Sequence, residues 1–567
     1  MALTESDGSL ELSCNAEDGV SSEKQEEMSS PGSNRGGWVT FPFMAGTLMG
    51  LTIAMGGWAT SLVVYMIEKF NVKSINATQI YNIIAASTSL FPVIVAIISD
   101  SFVECYSFIW ASALVSTLGI TLLALTAILD PLRPQSCENG SNFCPTPSKL
   151  QFGVLFSGIA LASIGLAGSR FTIATMGANQ FDHATDQGIF FNWFAITLYG
   201  SIVLGGTILV YIEENVSWPL GYSLCIFVNI IGLAIFLSGS RYYRPVKPQG
   251  SPFKSIARVL IATIRKWKVS ISSSEDYYHE KNSQEVEKLA SVPTKSFRFL
   301  NHAAVCIEGD TKPDGSVAKI WRLCSVQQVE DLKTILRIFP VISSNFLLCT
   351  AVPTLGTLTV LQALTVDRHL GPHFKFPAGS MFVVILTSTS ISITLIDRFF
   401  YPMWKKMTHQ TLRPLQRIAL GHMFNMTGMG VAALVESKRH KVARSHGIVH
   451  QPGSSVPMLV LWLMPQLLVV GIGEAFHFPG QVTFYYQQFP KSLKSTSTAM
   501  VSLVVGIAYL LSTVVIDLVR RITVWLPDNI NNGKLDNVYW LFATIEMVNF
   551  GYFLICAKCY SYQNMEK

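Results

Sequence analysis

Arg170 is the residue whose chemistry needs explaining first, because it is the single charged side chain within an apolar run from 150 to 177. A helix rises about 1.5 Å per residue, so this run would cross a bilayer with Arg170 within or just below one half of the hydrocarbon layer. A cation at that depth is costly and commonly marks a substrate or ion pathway. The alternative is that Arg170 snorkels to the nearer interface or pairs with an acid on another span. Gly158, Gly165 and Gly168 predict close packing of this helix inside a bundle.

The composition is that of a polytopic membrane protein. Half of the 567 residues are hydrophobic, 14% are charged and the mean hydropathy is +0.38, which excludes a soluble enzyme. Residues 1–37 are polar and lack an apolar core, so we expect a disordered cytosolic tail rather than a signal peptide. The net charge of +6 is modest and clustered in loops, which indicates membrane orientation and no nucleic-acid partner.

Twelve apolar runs predict an all-α membrane protein with twelve transmembrane helices in two six-helix halves. The runs lie near 41–66, 78–99, 106–129, 150–177, 189–212, 219–239, 335–359, 377–397, 415–436, 456–485, 496–518 and 538–557. The expected domains are an N-terminal half at 38–239, a cytosolic linker at 240–334, a C-terminal half at 335–558 and a cytosolic tail at 559–567. This pattern is typical of the major facilitator superfamily fold, with a substrate site near the midplane between the halves.

Basic residues in the loops predict the orientation. The linker is rich in Lys and Arg, so we expect it and both termini to lie in the cytosol. Four basic residues near 438–444 would then lie outside, against the rule. Sequons predict glycosylation of external loops at Asn76, Asn139 and Asn215, whereas a further sequon at Asn425 falls inside span 9. The segment 255–268 predicts an amphipathic helix on the inner membrane surface, with Ile256, Val259, Leu260 and Ile264 on one face.

Several separated motifs resemble those of the proton-coupled oligopeptide and nitrate transporter (PTR/POT) family, and most closely its plant nitrate excretion subgroup. They are 177–182 (GANQFD), 190–194 (FFNWF), 397–402 (DRFFYP), 415–418 (LQRI) and 471–476 (GIGEAF). The resemblance runs from about 37 to 558 and implies a carrier of small solutes in the plasma membrane.

The departures from the family pattern concern proton coupling. The resemblance places Leu48, Leu51 and Thr52 where proton-coupled members carry two acids and a base in span 1. It places Thr483 at the family's span 10 acid and Arg170 at the span 4 base that this acid pairs with. A buried cation without its acid is costly unless an anion visits it. Glu474 is the acid that survives in span 10, and a pair between Glu474 and Arg170 would weaken this interpretation.

We therefore predict a low-affinity carrier of nitrate, with chloride as a second candidate, working by passive, voltage-driven efflux and alternating access. Further donors to the anion are drawn from polar residues of the spans, each of which could instead join two helices: Thr483, Thr354, His477, Asn345, Tyr81 and Asn82. Structural or gating roles are expected for Glu474, Asp100, Asp397, Arg398, Pro353 and Pro479.

Other interpretations remain open at this stage. They are a proton-coupled importer of nitrate, peptide or a plant metabolite, an anion channel, and a nitrate sensor. The sequence shows no nucleophile, metal cluster or phosphate loop, so we expect no catalytic residue, no metal and no cofactor. The only partners expected are a small inorganic anion and membrane lipid.

Overall fold

The computed structural model describes residues 35–101, 105–135, 145–245, 252–269, 293–307, 309–310, 319–449, 451, 454–489 and 494–560. Within these ranges, side chains are not described at 95–101, 171, 184–185, 188, 192, 252–253 and 494–499.

The first half is built from long helices that coincide with the first six apolar runs. They are α1 (Phe41–Thr60) continued by α2 (Leu62–Phe70), α3 (Ser74–Ser101), α4 (Cys105–Ile128), α5 (Lys149–Ala178), α6 (Ala184–Leu204) continued through a π-helical turn (Gly205–Leu209) by α7 (Val210–Asn215), and α8 (Trp218–Ser238). At the start of α5, Ser148 and Gln151 each bond the other's backbone N–H, at 3.2 and 2.9 Å, so the helix begins at a capping box.

The linker contributes α9 (Pro252–Arg265) and a 3₁₀ helix (Arg298–Ala304). Val259 of α9 is fully buried in a small core with Leu300 and Ala303, whereas Leu260 and Ile264 are 44% and 73% exposed. One part of the apolar side of α9 therefore packs against the protein, and the other part is exposed. We call the face of the bundle that carries α9 the linker face, and the opposite one the far face.

The second half repeats the pattern. It comprises α10 (Val326–Leu348) and α11 (Ala351–Leu364), α12 (Met381–Leu395) continued through a π-helical turn (Ile396–Phe400) by α13 (Tyr401–Thr408), α14 (Pro414–Ser445), α15 (Met464–Gln488), α16 (Lys494–Ile522) and α17 (Leu535–Cys559). Strand β1 (Val366–Asp367) pairs in parallel with β2 (Val456–Leu459) on the far face. The seventh span begins well before its apolar run, because a capping box of Ser325 and Gln328 starts α10 outside it.

The all-α membrane fold is confirmed. Among the described residues, eleven helical segments are long and apolar enough to cross a membrane, and the 28-residue α3 coincides with the second predicted span. The glycines of α5 pack as predicted: a Cβ added at Gly165 would lie 2.3 Å from the Ser116 nitrogen, and one at Gly168 2.6 Å from the Ser112 hydroxyl. Helices α4 and α5 therefore touch through their backbones.

Two basic residues that seemed to violate the charge rule have partners in the structure. Arg439 is fully buried and makes a bidentate ion pair with Glu436, whose oxygens lie 2.7 Å from its Nε and Nη2. Arg439 also donates to Asn531. The ammonium of Lys438 lies 3.0 Å from the centre of the Trp462 ring, a cation–π contact. Arg439 is therefore neutralised by an ion pair inside the protein, whereas Lys438 stays an exposed charge.

Candidate functional site

Arg170 keeps an accessible surface in the interior of the bundle. Its neighbours on α5, Ala167, Ser169 and Thr172, are 3% exposed or less, but Arg170 is only partly buried. It forms no hydrogen bond or ion pair with any residue that the structure describes. Tyr199 of α6 lies within electrostatic reach of the guanidinium. Arg170 is therefore a partly exposed cation without an ion pair among the described residues.

Glu474 lies in the same region but is bonded elsewhere. Tyr199 is within electrostatic reach of both Arg170 and Glu474, so the cation and the acid face a common neighbour from opposite halves. One Glu474 oxygen accepts a hydrogen bond of 3.0 Å from the Asn425 amide. The other lies 3.6 Å from Nδ1 of His477, which is itself 1% exposed. The acid is held by its own half of the protein.

The face of span 1 that would carry acids is apolar and packed. Leu48 is 1% exposed and packs with Leu198 and Ile202 of α6. Leu51 is 4% exposed and belongs to a different buried cluster, and Thr52 is 1% exposed. This face provides no carboxylate to Arg170.

The predicted donors do not form one cluster around Arg170. The Thr354 hydroxyl is 2.8 Å from that of Ser512, which joins α11 to α16. The Asn345 amide donates to the Tyr485 hydroxyl at 3.1 Å, which joins α10 to α15. These two residues therefore make the interhelical contacts that were the alternative to ligand binding.

The remaining predicted donors differ in their surroundings. Nε2 of His477 lies 3.9 Å from the Cys349 sulfur. Both amide atoms of the fully buried Asn82 lack a hydrogen-bond partner among the described residues. Thr483 is partly buried. Tyr81 lines a cavity of only about 10 Å³ with Thr357 and others, too small for more than a single water.

Three of the predicted gating residues, Pro353, Asp397 and Arg398, lie where a helix breaks or changes to a π-helical turn. Pro353 is in the first turn of α11, just after the break between α10 and α11, and Pro479 is inside the continuous α15. Asp397 and Arg398 lie in the π-helical turn before α13. The side chain of Asp100 is outside the described part of the chain. These roles remain predictions.

The sequence motifs of the second half meet in space. Arg417 stacks its guanidinium 4.3 Å from the centre of the Tyr401 ring. Phe400 packs edge-on against Phe476, with ring centroids 5.3 Å apart. The motifs 397–402, 415–418 and 471–476 thus form one contact surface that fixes α15, the helix that carries Glu474.

On the linker face, the motif 177–182 joins the two ends of the first half. Arg244, beyond α8, forms an ion pair of 2.6 Å with Asp182. Its hydrogen bond and its charge lower the pKa of the Asp182 carboxyl, and the same contact raises the pKa of Arg244. The Gln180 carbonyl accepts the N–H of Gly37 at 2.8 Å. The motif therefore also holds the segment that leads into α1.

The far face is closed by contacts between the halves. The Glu214 carboxylate accepts the backbone N–H groups of Ala378 and Gly379, each at 2.8 Å, and pairs with Arg368 at 3.3 Å. We call these four residues the far-face latch. The Glu214 side chain is 2% exposed and that of Arg368 13%, so the ion pair is largely buried. It joins the end of α7 to the segment before α12.

Two predicted glycosylation sites take part in this closure. Asn76 accepts a hydrogen bond from Arg520, and the Asn215 amide donates to the Lys375 carbonyl at 3.1 Å. Both bonds cross between the halves. The third site, Asn139, lies outside the described residues.

Sequence comparison identifies the family. A sequence model described as PTR2, POT family, matches residues 106–534. Protein NRT1/PTR FAMILY 2.7 of Arabidopsis thaliana is 50% identical over 533 residues, which cover 94% of both chains. Protein NRT1/PTR FAMILY 2.3 of the same plant is 48% identical over 551 residues, 96% of this chain and 97% of the relative. The chain belongs to the POT family.

Solved structures of POT family members share its fold. A crystal structure of an auto-inhibited POT family peptide transporter aligns with a TM-score of 0.67 at 15% identity, covering 93% of this chain and 98% of the other. The POT family transporter PepTSo aligns with a TM-score of 0.66 at 14% identity, covering 93% and 99%. This POT family member is therefore an integral, multi-pass membrane transporter with the major facilitator fold.

Sequence reasoning missed several polar residues inside the transporter. His422 of α14 and Glu546 of α17 are both fully buried, with Nδ1 and Oε2 3.7 Å apart. Glu213 of α7 is 1% exposed. Glu546 could have been noticed, because it is an acid within the apolar run 538–557. Among the described residues, no group of three or more His, Cys, Asp or Glu could hold a metal ion.

Proposed function

We propose that this POT family transporter carries nitrate, with chloride as a second candidate, down its electrochemical gradient by alternating access. In this proposal it acts in the plasma membrane, with the linker face and both termini in the cytosol. Arg170 supplies the charge that the anion binds. Net movement is efflux, driven by voltage without strict coupling to protons.

One observation supports this proposal most: Arg170 has no ion pair with any residue that the structure describes. A cation inside a membrane protein without an ion pair is costly, and an anionic ligand removes that cost. A guanidinium presents several N–H donors in one plane, which suits the planar, weakly hydrated nitrate ion. Glu474 does not compete for Arg170, because its oxygens face Asn425 and His477.

The proposed driving force follows from missing carboxylates. Leu48, Leu51, Thr52 and Thr483 leave no acid at the positions where coupled relatives are expected to bind protons. Without a proton, nitrate crosses with one net charge, worth about 2.3 kcal/mol per 100 mV. That energy supports about a fiftyfold concentration ratio and, with the inside negative, expels the anion.

In alternating access, the far-face latch would hold the far face closed and break when that face opens. Release on the far face requires the halves to part there, and this would break the contacts of Glu214 with Arg368, Ala378 and Gly379. In the structure these contacts are made and the cavity beside Tyr81 is narrow. The conformation fits a carrier whose far side is closed.

A proton-coupled importer is the second candidate. The partly buried pair Glu474–His477 and the fully buried pair His422–Glu546 lie at 3.6 and 3.7 Å and could exchange a proton. Both pairs belong to the second half. They are therefore not at the span 1 positions where coupled relatives are expected to carry acids.

Flux into liposomes separates the two candidates. A potassium gradient with a potassium ionophore sets the voltage, and buffers set the pH difference independently. We expect nitrate flux that follows the voltage and reverses with it when no pH difference exists. Uptake that requires a pH difference and ignores the voltage would favour the importer instead.

A further inference from the structure

A cavity of about 530 Å³ lies between the two halves, beside the far-face latch. The first half lines it with α7 and the π-helical turn before α7, through residues such as Ile208 and Tyr211. The second half lines it with α12 and the segment before α12, through residues such as Phe374 and Thr387. Cavities of this size hold drug-sized organic ligands. We call it the inter-half cavity.

The lining of the inter-half cavity is almost entirely apolar. None of the described residues around it is charged, and the Ser380 and Ser388 hydroxyls donate to backbone carbonyls at 2.7 and 3.0 Å. Ile208 and Ile391 line the cavity and are 55% and 57% exposed, within helices that can cross the membrane. Exposed apolar side chains at these positions face hydrocarbon. The occupant is therefore an apolar molecule that the bilayer supplies.

One wall of the inter-half cavity is flat. The rings of Tyr211 and Phe374 stack across the two halves, with centroids 5.5 Å apart and planes 1° from parallel. The Thr387 hydroxyl forms no hydrogen bond with any residue that the structure describes, so it is available to a ligand. A flexible acyl chain loses conformational freedom when it is fixed in a cavity, whereas a fused ring system has little to lose. A sterol, which is rigid and apolar and carries one hydroxyl, fits this lining best.

The inter-half cavity shares its walls with the contacts that close the far face. Pro377 and Ser380 line it and flank the two N–H groups that bond the Glu214 carboxylate at 2.8 Å. Ser380 also donates across the halves to the Gly206 carbonyl at 2.7 Å. If the halves part at the latch, these walls separate. A molecule that fits between them therefore binds the closed form more tightly than the open one.

We propose that the inter-half cavity is a binding site for a sterol of the bilayer, and that the bound sterol holds the far face closed. Binding does not depend on which solute the protein carries. The effect on closure rests on the alternating access of the proposed function. The sterol content of the membrane then sets how often the far face opens.

Photolabelling of the full-length protein in phospholipid liposomes tests binding. One probe is a sterol with a diazirine in its ring system, and the other is a phospholipid with a diazirine in its acyl chain. Peptide mass spectrometry locates the adducts after irradiation. We expect the sterol to label 207–212 and 374–391, and an excess of unmodified sterol to suppress this labelling. The phospholipid should show no preference for these two segments.

A second apolar cavity provides the matched control. It measures about 400 Å³, and the residues described around it belong to α3 and α5 of the first half alone. Ile208 and Ile83 are isoleucines that line the two cavities and are 55% and 48% exposed.

The same substitution is made at both isoleucines. Ile208→Trp should reduce sterol labelling of the inter-half cavity at least about tenfold, because the indole takes up the space that the sterol needs. Ile83→Trp should leave that labelling unchanged. Thr387→Val removes only a hydroxyl and should reduce labelling about fivefold. It serves if Ile208→Trp does not fold.

Cysteine labelling tests closure. Thr357 lines the narrow cavity beside Tyr81, so a membrane-impermeant maleimide on the far face reaches Thr357→Cys only when that face opens. A ligand at twice its half-saturating content that binds only the closed form favours this form about threefold, so labelling should slow by that factor. Added sterol should have no effect on the rate when Ile208→Trp is also present.

The site would be overturned if the sterol does not label the two segments, or if the phospholipid labels them equally strongly. Equal losses of labelling in Ile208→Trp and Ile83→Trp would overturn it as well. Specific sterol labelling with an unchanged maleimide rate would overturn the effect on closure. If Thr357→Cys is never labelled, even without sterol, the far face does not open. That result would contradict alternating access in the proposed function, and with it the effect on closure, but not the sterol site.

Discussion

Replacing Glu214 with glutamine is expected to loosen the closure of the far face. The carboxylate accepts N–H groups from Ala378 and Gly379 at 2.8 Å and pairs with Arg368 at 3.3 Å. Glutamine turns one acceptor oxygen into a donor that faces another donor, and it removes the charge. One hydrogen bond to a charged group contributes about 2 kcal/mol, which corresponds to about a thirtyfold shift from closed to open.

Accessibility of the narrow cavity measures this shift. Thr357 is 3% exposed and lines the cavity, so Thr357→Cys places a reporter behind the latch. A membrane-impermeant maleimide added on the far face should label it faster when Glu214 is glutamine. Asp367→Asn is the matched control, because Asp367 is a half-exposed acid at the end of β1, next to Arg368, that pairs only with His369 among the described residues. Equal labelling in wild type and Glu214→Gln, or an equal increase in Asp367→Asn, would refute the role of the latch.

Two further predictions concern stability and modification. Arg439→Gln should lower the free energy of unfolding by about 3 to 5 kcal/mol, because it leaves the Glu436 charge buried and unpaired. Lys438→Gln, at an exposed position, should lower it by less than about 1 kcal/mol. Thermal unfolding measures both, and similar losses in the two variants would contradict this prediction. Peptide mass spectrometry should find an N-linked glycan at Asn139 and none at Asn76 or Asn215, whose side chains bridge the halves; a glycan on either of these two would show that its bridge does not form.

The positions of the spans could be predicted because membrane insertion depends on long apolar runs, which are local features of the sequence. Even the capping boxes at Ser148 and Ser325 are local signals. Arg170 could be singled out for the same reason, since one charge within an apolar run needs no knowledge of the fold.

Features that depend on packing between distant helices could not be predicted. Sequence alone counted Lys438 and Arg439 as external charges, but Arg439 is buried in an ion pair with Glu436, and Lys438 lies over the Trp462 ring. Thr354 was a candidate ligand because it is polar, and only the structure shows its bond to the distant Ser512.

The hydrogen bond that holds Glu474 could not be predicted either. Asn425 and Glu474 are 49 positions apart, and their hydrogen bond depends on the close approach of α14 and α15. The sequence alone could not decide whether Glu474 forms an ion pair with Arg170.

Transport in the proposed function depends on Arg170 as the charge that binds the anion, and flux at a clamped voltage tests this most directly. Nitrate and chloride currents are compared in wild type, Arg170→Lys and Arg170→Gln, with protein amount and folding matched. We expect Arg170→Gln to abolish saturable nitrate flux, and Arg170→Lys to retain it with a higher KM, because lysine keeps the charge and loses the planar set of donors. Saturable nitrate flux of wild-type size in Arg170→Gln would contradict the role of Arg170 as the anion-binding charge.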